Sequence, residues 1–78
     1  MLDGMSNLDE ILRARRALPE PQRRRQIREA SGLSLHRIGQ EIGVTPAAVA
    51  LWETGQSMPT PDHLIAYVAL LEKLQANG

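Results

Sequence analysis

Eight arginines fall between Arg13 and Arg37, and only Glu20 and Glu29 oppose them from Ile11 to Arg37. That stretch therefore carries an excess of six positive charges in a chain whose formal net charge is zero. The compensating acids lie outside it, with Asp3, Asp9 and Glu10 before and Glu41, Glu53, Asp62 and Glu72 after, where Lys73 is the lone base. Guanidinium groups present planar, multidentate donors to phosphate, and a dense set of them releases condensed counterions from a polyanion. The same run also reads as the solvated face of helices. Other reactive side chains are sparse. His36 and His63 have no second His, Cys or carboxylate at a ligand spacing, so no metal site is expected. Ser31, Ser34 and Ser57 have no base and orienting group recognisable beside them, which leaves nucleophilic catalysis without support. The expected chemistry is binding, with no cofactor and no enzyme activity.

Binding needs a scaffold, and 78 residues allow one compact domain with a small core. The absence of Cys removes disulfides and thiolate metal sites as staples and fits a reducing compartment. No run reaches the roughly 18 apolar residues of a membrane span, and the acidic start lacks the positive charge of a signal peptide. A cytoplasmic protein with no membrane association is expected. Phe is absent, Trp and Tyr occur once each, and Leu, Ile, Ala and Arg are plentiful, a composition for helices and not for sheet. The fold class is expected to be all-α.

Helix starts and stops divide the chain. Leu8, Ile11, Leu12 and Leu18 mark a short amphipathic helix from Asn7 to Leu18, ended by Pro19. Pro21 suits the first position of a second helix running to about Ala30, with Ser31-Gly32 as its stop. Ser34 is an N-cap for Leu35 to Ile42, closed by Gly43. Thr45-Pro46 opens a helix to about Thr54 that Gly55 stops, and Thr60-Pro61-Asp62 opens the last helix, to about Gln75. Residues 1–20 read as an amino-terminal amphipathic helix or arm, and residues 21–78 as a single globular unit.

The segment Leu35 to Thr54 places two short helices around a Gly-containing turn. Helices joined so tightly pack at a steep angle only if their inward residues are apolar and the crossing is small. Ile38, Ile42, Val44, Val49 and Trp52 fill the first requirement and Gly39 the second. From Gln26 to Leu74, and most plainly over GLSLHRIGQEIGVTPAAVALWETGQSMPTPDHLIAYVALL, the sequence resembles the Cro and C1 type phage repressors, the XRE-like helix-turn-helix family. The matching features are a Leu-Ser start, a small residue, a turn Gly, Trp-Glu-x-Gly, a Pro and a Leu-rich final helix.

The resemblance implies a lambda-repressor-like bundle of four or five helices whose recognition helix, Pro46 to Thr54, lies in the major groove of double-stranded DNA. It also implies phosphate contacts from Arg23 and Arg24, from Ser34 with His36 or Arg37, and from Gln56 and Ser57. Base edges would be met by Thr45, Pro46, Ala47, Ala48 and Leu51. Family members usually carry Gln at Leu35 and polar or basic residues at Pro46, Ala47, Ala48 and Leu51, so direct readout here is reduced to thymine methyls and to Thr45. Specificity then leans on shape, and an arm carrying Arg13, Arg15 and Arg16 is a candidate for the minor groove. A further implication is a structural ion pair between Glu53 and Arg28.

Trp52 falls on the inward spacing and reads as core, not as a base-stacking residue. The final helix is apolar around more than half of its circumference. With Leu8, Ile11 and Leu12 it should leave an exposed patch that drives a homodimer through the carboxy- and amino-terminal helices. The function implied is a transcriptional regulator, repressor-like and of phage or bacterial origin. The rival is a protein-interaction module such as an antitoxin or partner adaptor, kept open by the apolar residues of the recognition helix.

Overall fold

The computed structural model describes residues 2–77, with side chains from residue 7 onward. Five helices follow one another: α1 (Leu2–Ala17), α2 (Pro21–Ala30), α3 (Leu35–Ile42), α4 (Pro46–Thr54) and α5 (Pro61–Asn77), with no strand among the described residues. The all-α class is as expected, and the helix boundaries differ at both ends. The first helix begins at Leu2 and not at Asn7, since nothing before Pro19 breaks a helix more strongly than Gly4. It ends at Ala17 because Leu18 precedes Pro19, whose ring disfavours helical geometry in the residue before it. The last helix reaches Asn77 and does not stop near Gln75; Gly78 lies outside the described residues.

Side-chain caps fix where the central helices start. The Ser34 hydroxyl accepts the Arg37 N–H at 3.0 Å, and the Thr45 hydroxyl accepts the Ala48 N–H at 3.1 Å. Each satisfies one donor that the first turn leaves without an intrahelical acceptor. Pro at position 46, and again at 61, occupies a slot where a missing N–H costs nothing. At the α3–α4 turn Gly43 adopts φ +93°, which an L side chain resists. Its N–H and that of Val44 both donate to the Gly39 carbonyl, at 2.7 and 2.9 Å. A Cβ at Gly39 would stand 2.5 Å from the Val44 carbonyl oxygen, so the small residue admits the turn's own backbone.

The main core joins Ile27, Ile38, Val49, Trp52, Tyr67 and Leu71, one or two residues from each of α2 to α5. Trp52 is 4% exposed, and its ring lies 4.9 Å from that of Tyr67 in a tilted arrangement favourable for aromatic pairs. Ile42 and Val44 are half-buried against this core. A second cluster of Ala14, Leu64 and Val68, with Leu18 and Ile65 against it, docks α1 on α5, and α1 packs on no other helix among the described residues. This corrects the expectation for α5. Its second apolar side is covered by α1, leaving small Ala66 and Ala69 exposed, while among the described residues the large exposed apolar side chains are Leu8, Leu12, Leu51 and Met58.

Truncating the ring at the centre of the main core should open a cavity too large to collapse. Trp52→Ala is expected to cost about 3 to 5 kcal/mol, read from thermal or denaturant melts. A folded variant melting like the wild type would mean that Trp52 carries no packing.

Candidate nucleic-acid interface

α4 is held by one side and open on the other. Val49, Trp52 and Glu53 are buried, whereas Ala47, Ala50, Leu51 and Thr54 recur at the three- and four-residue spacing that puts side chains on one helix face. Pro46 and Ala47 are exposed, Ala48 and Ala50 half-buried, and Leu51 is 42% exposed. The open face is apolar apart from two hydroxyls. That of Thr45 accepts the capping N–H and keeps its proton to donate, and that of Thr54 donates to the Leu51 carbonyl at 3.1 Å.

The arginines differ in what surrounds them. Arg24 is not a phosphate ligand: it is 6% exposed, its Nε donates to the Pro19 carbonyl at 2.7 Å and its Nη1 to the Trp52 carbonyl at 2.8 Å. Burial lowers its pKa, with Tyr67 acting in the opposite direction, and the two carbonyls accept hydrogen bonds that the buried guanidinium would otherwise make to water. Arg23 is exposed, but it lines a groove with Ile27, Ala30, Ser31, Leu74 and Gln75, on the α2–α5 side and away from α4. Arg13, Arg15 and Arg16 lie within a helix docked on α5, so they do not form the extended arm that a minor groove takes up. Of the remaining expected residues, Ser34 caps α3, His36 and Arg37 are exposed in its first turn, Gln56 is exposed and Ser57 half-buried. The N–H groups of Gln56 and Ser57 both donate to the Leu51 carbonyl, at 3.1 and 3.4 Å.

Arg25 was not singled out in the sequence, yet it lines the groove beside α4 with Leu35, Ala50 and Thr54. One signal could have found it: pairing Arg28 with α4 places the residue three positions earlier on the same helix edge. Arg25 meets Glu29 and Arg37 meets Glu41, each at 3.1 Å between exposed side chains. Exposed pairs of this kind are worth little, so both guanidinium groups can exchange a carboxylate for a phosphate.

Beneath α4 sits an ionic clamp. Arg28 donates from Nε to Glu53 Oε2 at 2.6 Å and from Nη2 to Oε1 at 2.9 Å, while its Nη1 reaches the Leu33 carbonyl at 3.0 Å. The hydrogen bonds to Glu53 are the main reason the Arg28 pKa is raised. Both side chains are nearly covered, at 13% and 6% exposure. Removing one partner strands the other, so Arg28→Ala and Glu53→Ala should each cost about 3 to 5 kcal/mol, and replacing both by apolar residues should recover part of it. Two single variants with wild-type melts would dismiss the clamp.

Tyr67 lies in the field of this cluster. Burial, and secondarily the Glu53 charge, push its hydroxyl from 10.0 up to about 12. The native state then keeps a proton that the unfolded chain releases, so the stability tied to Tyr67 is complete below pH 10 and lost as pH rises toward 12. Tyr67→Phe should flatten that alkaline loss in melts recorded across the interval; an unaltered slope would assign it to other groups.

A helix-turn-helix sequence profile matches residues 25–74, more than half of the chain. Curated proteins and solved structures give no significant match. Among the described residues no helix is long and apolar enough to cross a membrane. With its capped α3–turn–α4 unit and the open side of α4, the chain belongs to the Cro/C1-type, XRE-like helix-turn-helix family.

Proposed function

We propose that this protein is a cytoplasmic transcriptional regulator that occupies operator DNA as a two-fold dimer and acts by blocking access to a promoter. The observation that carries the reading is the open face of α4, presented outward by a buried opposite side, with Arg25 lining the groove beside it and Arg37 exposed in the first turn of the preceding helix, α3. A major groove about 12 Å wide admits such a helix. Phosphates are met by Arg25, by Arg37 and by the free N–H groups in the first turn of α3, where the helix dipole favours an anion. Base readout is confined to thymine methyls against Ala47, Ala48 and Leu51, with the Thr45 proton as the one hydrogen-bond donor on this edge. Sequence-dependent groove shape supplies the rest of the discrimination.

The apolar character of that face also favours a second reading, a protein partner seated on Ala47 and Leu51, as for an antitoxin. Salt titration separates the two. DNA binding should weaken with a log-log slope of about −0.9 per phosphate contact, and Arg25→Ala and Arg37→Ala should each flatten it by about one unit. Once a bound duplex has been selected from genomic fragments, replacing thymine by uracil within the footprint should weaken binding by removing the methyl groups. A slope near zero would discard the DNA reading; full affinity for the uracil duplex would discard methyl readout.

A further inference from the structure

The α1 helix has two dissimilar sides. Ile11, Ala14 and Leu18 turn toward the body, where Ile11 and Arg15 line a groove with Met58, Pro59, Pro61 and Leu64. Every described residue from Asn7 to Glu10 is exposed, so this part of the helix stands clear of the body. Leu8 and Leu12, four residues apart and therefore on one helix edge, are 54% and 40% exposed. Two large side chains held in water on one edge are an unpartnered seam.

The charges beside the seam say what covers it. Asp9 and Glu10 precede Leu12, and Arg13, Arg15 and Arg16 follow it; none of the five forms an ion pair among the described residues. Asp9 and Arg16 are seven residues apart, two helical turns, and flank the seam on the same side. A second α1 laid parallel would set like charges side by side. Laid antiparallel, with Leu12 near the two-fold axis, it brings Asp9 of each copy against Arg16 of the other and lets the helix dipoles oppose. We propose that two copies of this chain associate through the outer edge of α1 in an antiparallel pair, with Leu8 and Leu12 as the apolar seam and Asp9–Arg16 contacts on its flank.

This names the interface for the dimer in the functional reading and rests on that reading only there. One short helix pair buries less surface than a standard interface, so the association is weak and salt-sensitive in solution and is reinforced when both copies hold one duplex.

Sedimentation equilibrium of the intact chain without DNA tests it, at low and high salt. The wild type should associate at about 100 μM in low salt and dissociate as salt rises. Asp9→Lys with Glu10→Lys, and separately Arg13→Glu with Arg16→Glu, should each be monomeric, and a mixture of the two should form a one-to-one heterodimer. Leu8→Ser with Leu12→Ser should weaken association by about tenfold or more while helix content and melting stay close to wild type. A monomeric wild type, reversed-charge variants that associate unaided, or a mixture that fails to pair would each overturn the proposal. Arg25→Ala with Arg37→Ala should keep the wild-type association, so loss of DNA binding and loss of pairing are read apart.

Discussion

A helix of nine residues does not persist in water by itself, because the cost of nucleating it outweighs the few hydrogen bonds it closes. The presentation of α4 therefore depends on what grips its buried side. Three of its residues supply the grip: Val49 and Trp52 by filling the main core, Glu53 by taking both prongs of the Arg28 guanidinium. Arg24 adds a further tie through the Trp52 carbonyl. All these ties reach α4 from α2 or the core, so α2 serves as its mechanical support. Gly39 and Gly43 then set the angle at which α3 delivers the chain to α4.

The cost of this arrangement falls on the charge pattern. Of the eight arginines that make the first half of the chain basic, two are committed to the scaffold and two share their charge with a neighbouring glutamate. The excess that stays without an ion pair among the described residues sits on α1 and at Arg23, away from α4. A patch inferred from linear charge density is thus dispersed in space, and the flanks of α4 are only mildly basic.

Local signals carried most of the secondary structure. Ser34, Thr45 and the prolines at 21, 46 and 61 act on the backbone of their own turn, so their effect needs no knowledge of the tertiary fold. The inward spacing of Ile38, Val49 and Trp52 is likewise a property of one helix at a time. Arg23, Arg24 and Arg25 are different. Consecutive residues on a helix point about 100° apart, so three identical side chains went to a groove at α5, to the interior and to a groove at α4. Which one goes where depends on the packing of α2 against two other helices, and composition is silent on that. The cover over α5 was hidden for the same reason, because a broad apolar circumference does not reveal whether a neighbour in the same chain occupies it.

Among the described residues α1 packs on no helix but α5, so it leans on the other four from one side. Detaching that helix costs only the contacts of one small cluster, far less than dissolving the whole fold, and proteins commonly open along such lines well before they unfold globally. In the detached form Leu64 and Val68 lose their roof and the bundle acquires a sticky strip along α5.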